Sequence, residues 1–215
     1  MKGGKANMMT EQTMQEFMDT LASSAPVPGG GGASAYAAAI GMCLGSMVAN
    51  LTTGKKKYAQ YQEEIEQVLV QAEALTGELA EGMDKDAQAF EPLSKAYGLP
   101  KNTEEELQKR NEILEAALVT ASEAPLALME KILEALDILE RLAVIGSKLA
   151  VSDVGVGVQM CKAALNGASL NVYINTKLMK DRERAGQMNE KADRIIQSGN
   201  EKADRIYQDV LQQIR

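Results

Sequence analysis

Two segments of the chain carry no charged residue and are rich in small side chains. The first spans 20–54, where Ala, Gly, Ser and Met predominate, and the second spans 163–176. Small side chains allow helix axes to approach closely, so we predict that both segments form helices that pack against each other. The helix at about 33–51 is predicted to be the central, buried helix of the fold.

Elsewhere, apolar residues recur at intervals of three and four, which is the spacing of an amphipathic helix. No stretch shows the alternation typical of a strand, so the fold is predicted to be all-α. We expect a multi-helix bundle in which long, kinked helices surround the central small-residue helix. The predicted helices are 9–23, 33–51, 56–97, 103–144 and 154–179, with a last helix from 181 onward.

Polar residues mark several predicted helix starts. Thr10 is a suitable N-cap for the first helix, and Thr103 with Glu106 has the spacing of a complete capping box. Ser152 or Asp153 is predicted to cap the helix that follows the break after the fourth helix.

Two prolines lie inside predicted helices. Pro92 removes one amide and frees the carbonyl of Gln88, so the helix should kink just after Asp86. Pro125 interrupts the next helix, where we expect a kink or a restart near Ala124.

The C-terminal part of the chain is charged and repetitive. EKADRIIQ at 190–197 returns as EKADRIYQ at 201–208, which is an eleven-residue repeat. We predict a solvated, charged C-terminal helix over 181–215 that packs on the body of the protein or on a partner subunit. The chain is predicted to form a single domain, 1–215.

Composition excludes some classes of function. The formal net charge is −7 and the pI is near 4.9, which argues against nucleic acid as the main partner. There is no His, and Cys43 and Cys161 are the only cysteines, so no metal site is expected and both thiols are predicted to be buried and free. The N-terminal MKGGKANMMTEQ has no apolar core of a secretory signal, so we expect a cytoplasmic protein without a membrane span.

One carboxylate lies within the apolar stripe of the third helix. Asp86 comes three residues after Met83 and four before Phe90, on the apolar face, whereas Asp84 projects about 130° away. Burying an unpaired carboxylate is costly, so Asp86 should be paired or have a raised pKa. Asp84 is predicted to be a solvated surface charge.

Four consecutive glycines, Gly29 to Gly32, precede the central helix. Glycine tolerates positive φ and lets a ligand approach bare N–H groups, and a helix N-terminus favours an anion or a polar ring edge. The chain lacks the P-loop pattern at Gly54-Lys55, and no strand precedes the glycines, so neither nucleotide-binding motif is predicted.

Several motifs together resemble one known family, over roughly 15–181. They are PVPGGGG at 26–32, MVANLT at 47–52, GKKKY at 54–58, DKDAQAF at 84–90, SDVGV at 152–156 and GASLNVYIN at 167–175. The combination resembles the cyclodeaminase domain of formiminotransferase-cyclodeaminase and the free-standing methenyltetrahydrofolate cyclohydrolases of the same family. One departure is Gly32, where the family usually has Ser; the next hydroxyl here is Ser34.

The resemblance implies tetrahydrofolate one-carbon chemistry. Cyclohydrolase adds water to 5,10-methenyltetrahydrofolate to give 10-formyltetrahydrofolate, whereas cyclodeaminase closes 5-formiminotetrahydrofolate and releases ammonia. Both need proton transfers that one buried carboxyl can perform, and the resemblance assigns this role to Asp86. The substrate is the tetrahydrofolate derivative, mono- or polyglutamylated, with no other cofactor. We favour cyclohydrolase because no formiminotransferase domain accompanies the chain; cyclodeaminase remains the alternative.

The resemblance also suggests residues that hold the substrate. The predicted substrate-binding residues are Gly29, Gly30, Gly31, Gly32, Ser34, Lys55, Lys56, Asn171 and Asn175. The glycines would hold the pterin or an anionic end, and the lysines would attract the glutamate tail. Asn171 and Asn175 lie one turn apart on one helix face, where they meet either a pterin edge or neighbouring protein groups.

A non-catalytic helical binding or scaffold protein is the remaining alternative. The glycines would then serve helix packing alone, and Asp86 would be half of a structural ion pair. The resemblance also leads us to expect a homodimer, with which the two small-residue helices are consistent.

Overall fold

The computed structural model describes residues 8–215, and the regular structure within them is entirely helical. This confirms the predicted all-α bundle. The helices are α1 (Met14–Leu21), α2 (Gly30–Asn50), α3 (Gln62–Tyr97), α4 (Glu104–Ile145), α5 (Val151–Thr176) and α6 (Arg182–Ile214). Short 3-10 helices cover Met9–Glu11, Lys56–Tyr61 and Lys148–Ala150. The prediction that the N-terminus lacks a secretory signal concerns largely residues 1–7, which lie outside the described residues.

The two small-residue helices pack against each other as predicted. A Cβ atom on Gly41 of α2 would lie 2.8 Å from the carbonyl oxygen of Gly157 of α5, and the converse distance is also 2.8 Å. Backbone therefore touches backbone at this crossing. Helices α3 and α4 pack against this pair, and α6 covers α4 and α5.

Helix α2 is not enclosed on every side. Ile40, Met47 and Leu51 expose more than a third of their surface, and Cys43 is exposed as well, contrary to the prediction that both cysteines are buried. Cys161 faces the α2–α5 contact, and its burial raises the pKa of its thiol to about 12. By length and composition α2 could cross a membrane, but more than half of its most apolar stretch is buried within the bundle.

Two predicted N-caps are wrong. Thr13, not Thr10, caps α1, because Glu16 lies three residues further on and completes a capping box with it. Helix α5 begins at Val151 with no side-chain cap, after a 3-10 turn, so Ser152 and Asp153 already lie in its first turn. The predicted box of Thr103 and Glu106 is confirmed at the start of α4.

Neither internal proline ends its helix. Helix α3 continues through Pro92 to Tyr97, and α4 is one helix of 42 residues through Pro125, so the restart predicted near Ala124 is wrong. Pro125 leaves the carbonyl of Ala121 without its usual donor. That carbonyl instead accepts a hydrogen bond from Asn175 Nδ2 of α5, at 2.9 Å, which compensates the lost bond.

Helix α6 uses its eleven-residue repeat to pack on the body, as predicted. Equivalent positions of the two repeats are buried together, namely Ala192 with Ala203 and Ile195 with Ile206. Basic residues beside this stripe pair with acidic residues of α4. The pairs are Arg184–Glu123, Lys191–Glu130, Lys202–Asp137 and Arg205–Glu140.

Candidate functional site

The Asp86 side chain of α3 lies directly against the first turn of α2. The Gly32 amide donates a hydrogen bond to Asp86 Oδ2 at 3.1 Å. A Cβ atom on Gly31 would lie 2.0 Å from Asp86 Oδ1, a distance that no side chain can occupy. A side chain at position 31 would displace the carboxylate, so glycine allows Asp86 to rest on bare backbone.

The glycines do not all precede the central helix, as was predicted. Gly29 is the N-cap of α2, with φ −122°, and Gly30 to Gly32 already form the first helical turn. Among residues 8–215 the only glycine with positive φ is Gly54. The glycines thus serve close approach rather than an unusual backbone conformation. The amide of Asn171 lies 3.6 Å from the Cβ position of Gly30.

The environment of Asp86 disfavours its charged form relative to water. Burial raises the pKa of Asp86, and the hydrogen bond from the Gly32 amide opposes this to a smaller extent. No Lys or Arg forms an ion pair with Asp86 within residues 8–215. Two alternatives were predicted for Asp86, an ion pair or a raised pKa, and the structure supports the raised pKa.

Asp84 differs from the prediction that it is a solvated charge. It is half-buried, and both its oxygens accept hydrogen bonds from the Met9 amide, at 3.1 and 3.2 Å. The segment before α1 crosses α3 here, and Asp84 satisfies an amide at the start of its 3-10 turn. Asp84 therefore has a structural role, distinct from that of Asp86.

Asn171 and Asn175 have fixed amide orientations. Asn171 Nδ2 donates to the Gly167 carbonyl at 3.0 Å, and Asn175 Nδ2 donates to the Ala121 carbonyl at 2.9 Å. Because a carbonyl can only accept, the nitrogen of each amide is identified by its partner. No protein donor within residues 8–215 binds either Oδ1 atom, so both asparagines retain a free acceptor.

These groups surround one cavity of about 130 Å³. Asp86 forms one wall with Phe90, and the asparagines of α5 form another. The remaining lining residues are Pro26, Val27, Gly29, Gly30, Gly31, Ala121 and Ile174. Six of the predicted site residues thus meet at a single place, with hydrogen-bond acceptors, backbone amides and one titratable carboxyl.

Four predicted substrate-binding residues do not line the cavity: Gly32, whose amide binds Asp86, and Ser34, Lys55 and Lys56. The Ser34 hydroxyl is buried and donates to the Gly30 carbonyl at 2.8 Å, and it packs against Gly167. Lys55 and Lys56 follow the opposite end of α2, about 30 Å from the glycines for a helix of 21 residues. A single subunit therefore does not bring these lysines to the cavity.

The sequence interpretation missed the backbone carbonyl of Ala121. This carbonyl is free because Pro125, four residues later, has no N–H to donate to it. The proline was visible in the sequence but was interpreted only as a kink or a restart of the helix. Its partner Asn175 lies on another helix and required the fold to identify. Among residues 8–215 no group of three or more His, Cys, Asp or Glu side chains is arranged to hold a metal ion.

Comparison with known proteins shows relatives along nearly the whole chain. Residues 13–194 match the family model of formiminotransferase-cyclodeaminase. A methenyltetrahydrofolate cyclohydrolase from Methylorubrum extorquens is 41% identical over 207 residues, which cover 96% of this chain and 100% of the relative. A formimidoyltransferase-cyclodeaminase from Gallus gallus is 32% identical over 84% of this chain, but the match spans only 34% of that longer protein.

A crystal structure has the same fold. The formiminotetrahydrofolate cyclodeaminase from Thermotoga maritima superposes with a TM-score of 0.79 at 28% sequence identity, covering 95% of this chain and 96% of that one. Sequence and structure agree with the resemblance suggested by the motifs. The chain belongs to the formiminotransferase-cyclodeaminase family.

Proposed function

We propose that the protein is a methenyltetrahydrofolate cyclohydrolase, which hydrolyses 5,10-methenyltetrahydrofolate to 10-formyltetrahydrofolate. The observation that carries this proposal is the unpaired carboxyl of Asp86, which has a raised pKa and borders a cavity lined by backbone amides and amide oxygens. The relative from Methylorubrum extorquens, which this chain matches over its full length, bears the same name.

Asp86 can perform the proton transfers of this reaction. The methenyl bridge is a cation shared between N5 and N10, and the carboxylate form of Asp86 stabilises it. Water adds to the bridge carbon as its proton passes to Asp86, which gives a neutral carbinol. The carbinol hydroxyl then loses its proton to solvent, Asp86 returns its proton to N5, and the carbon–N5 bond breaks. Water is consumed and one net proton is released.

The geometry of Asp86 suits this cycle. Oδ2 is held by the Gly32 amide, whereas Oδ1 accepts no hydrogen bond from residues 8–215. We assign Oδ1 as the atom that takes and returns the proton. A raised pKa brings the carboxyl closer to neutral pH, where both protonation states are accessible within one turnover.

The free acceptors on α5 suit the pyrimidine edge of a pterin. That edge carries an N3–H and a 2-amino group, both of which donate hydrogen bonds. Asn171 Oδ1 and Asn175 Oδ1 are the acceptors that we assign to them, while the first-turn amides of α2 face the same cavity. We propose no cofactor other than the folate substrate.

Cyclodeaminase activity is the second candidate, favoured by the name of the Thermotoga maritima protein with the same fold. N10 would attack the formimino carbon, and the same carboxyl would protonate the departing ammonia. The scaffold alternative is weaker, because the structural ion pair that it requires of Asp86 does not occur within the described residues.

The test compares two reactions of the purified protein. The methenyl absorbance is followed after addition of 5,10-methenyltetrahydrofolate in one cuvette and of 5-formiminotetrahydrofolate in another. Enzyme-dependent loss of absorbance in the first supports cyclohydrolase, and a gain in the second supports cyclodeaminase. Rates equal to those of protein-free controls in both would contradict the folate assignment.

We further propose a cytoplasmic homodimer that binds neither nucleic acid nor membranes. The homodimer is supported by exposed apolar side chains on α2 and α5, two helices that pack against each other; they include Ile40, Met47, Val156 and Leu170. Central helices of a bundle are normally covered, and a second copy of the chain would cover these side chains.

A further inference from the structure

Asp86 also lines a second cavity, which neither asparagine lines. This second cavity lies between α3 and α4 and has a volume of about 220 Å³. It extends along α3 from Asp86 past Gly82 to Glu78, which forms an ion pair with Lys131 of α4 at 2.8 Å. Eight residues of helix separate Asp86 from Glu78, which corresponds to about 12 Å.

The two cavities differ in chemistry. The cavity beside the asparagines offers hydrogen-bond acceptors and backbone amides. The surface of the second is largely apolar, and Gly82, Ala124, Pro125, Ala127 and Leu128 contribute to it. Its other lining residues are charged: Glu78, Lys85, Asp86, Glu130 and Lys131. Among residues 8–215, Asp86 alone lines both cavities.

The proposed substrate likewise consists of a polar part and an apolar part. In 5,10-methenyltetrahydrofolate the reacting carbon links N5 of the polar pterin to N10 of the aminobenzoyl arm. The bridge therefore joins a hydrogen-bonding heterocycle to a benzene ring. A catalytic group for this carbon must lie where the sites for these two parts meet.

We propose that the second cavity binds the aminobenzoyl arm of the folate while the pterin occupies the cavity beside the asparagines. The bridge carbon then lies at Asp86. This inference rests on the proposed function and names the part of the substrate that the function leaves unplaced. Neither cavity alone reaches the roughly 300 Å³ typical of small-molecule sites, but the two cavities that Asp86 lines do so together.

The proposal also identifies a different cation for the glutamate tail. Lys131 lies at the far end of the second cavity and is partly exposed, paired with Glu78 and Glu134. The arm extends from Asp86 toward this end, so the glutamate carboxylates meet Lys131 rather than Lys55 or Lys56. Exchange of ion-pair partners at an exposed lysine costs little.

The test fills the second cavity from its solvent side. Ala127 is exposed, so Ala127→Phe places a ring in the groove without overpacking the core. We expect at least a tenfold rise in KM for 5,10-methenyltetrahydrofolate with kcat changed far less, because binding is lost equally in ground and transition states. The control is Ala116→Phe, the same change at an exposed alanine of α4 outside both cavities.

A second measurement needs no variant. p-Aminobenzoyl-L-glutamate should inhibit the wild-type enzyme competitively against 5,10-methenyltetrahydrofolate, and Ala127→Phe should relieve that inhibition. An active wild type without competitive inhibition, or an Ala127→Phe enzyme with wild-type KM, would overturn this inference and leave the proposed function standing. A wild type that turns over neither folate would overturn the function, and this inference with it.

Discussion

Asp86 lowers the free energy of unfolding at neutral pH. Burial raises its pKa, so its ionised form at neutral pH is less favourable in the folded state than in the unfolded chain. In the unfolded chain the pKa of Asp is about 3.9, and a higher pKa in the folded state stabilises the fold while the pH is below that value. This contribution is lost as pH rises through the pKa of the folded state. This cost is typical of a catalytic carboxyl rather than a structural one.

Asp86→Asn should therefore match or exceed the wild-type thermal stability at pH 7. The amide oxygen still accepts the Gly32 hydrogen bond, and the buried charge is removed. Thermal unfolding measured from pH 3.5 to 7 should show the variant's advantage growing as pH rises. A variant that is less stable than wild type throughout would indicate that Asp86 has a structural partner.

Gly31→Ala tests the contact between the carboxylate and the helix. Its methyl group would overlap Asp86 Oδ1 and displace the carboxyl, and a displacement of about 1 Å can cost on the order of 100-fold in rate. Gly77→Ala on α3 is the control, since its Cβ meets nothing within 4 Å and alanine suits a helix better. Equal kcat/KM in the two variants would show that the position of Asp86 is unimportant.

At this scale the sequence predicted some residues well and others poorly. Helical phase separated Asp86 from Asp84, because the apolar stripe of α3 extends over many turns. The partner of Asp84 was not predictable, since Met9 lies 75 residues away in sequence. Ser34 was chosen as the next hydroxyl after the glycines and the two lysines for their charge, but a helix of 21 residues separates the lysines from the glycines.

The packing of α6 illustrates what holds one element to the rest. Gly199 lies on its buried stripe, and a Cβ there would be 2.3 Å from Leu165 Cδ2 and 2.9 Å from Leu133 Cδ2. These contacts join α6 to both α5 and α4. The small residue therefore sets how closely the charged helix approaches the body.

Gly199→Ala should lower the free energy of unfolding by about 1–3 kcal/mol through overpacking. Gly186→Ala, earlier on α6 with nothing within 4 Å, should be neutral or slightly stabilising. Urea unfolding of both variants measures this difference. Equal stability would mean that α6 is not held by close packing at Gly199.

Helix boundaries were predicted correctly where nearby side chains determine them, and incorrectly where contacts with the rest of the fold determine them. The capping box at Thr103 is a local signal and was confirmed. Helix α5 begins without a side-chain cap, because the preceding 3-10 turn delivers the chain directly into it. Pro125 was expected to kink α4 or make it restart near Ala124; α4 continues without a restart, and the amide of Asn175 compensates the freed carbonyl.

At the scale of the whole molecule, the packing of α2 against α5 was predictable from two uncharged segments rich in small residues. Their pairing required no distant information, since small residues recur along both. Helix α2 was predicted to be buried, yet its Ile40 and Met47 are exposed, as are Val156 and Leu170 of α5. A second subunit is the simplest cover for these side chains.

Light scattering should give twice the chain mass of 23.1 kDa for the wild type. Val156→Lys introduces a charge into the exposed face of α5 and should yield monomers, because burying an unpaired ammonium is costly. Val70→Lys, at an exposed valine of α3, should stay dimeric. A monomeric wild type, or a dimeric Val156→Lys protein, would place any interface elsewhere.

The most direct measurement of the central claim is the rate at which Asp86→Asn removes the absorbance of 5,10-methenyltetrahydrofolate, beside wild type and Asp84→Asn. Loss of a general acid–base group typically costs about 10²–10⁴-fold, so the Asp86 variant should fall by that amount while remaining folded. Asp84→Asn should stay within a few-fold of wild type, because Asp84 only holds the Met9 amide. Wild-type turnover by Asp86→Asn would contradict the assignment of this carboxyl as the proton-transfer group.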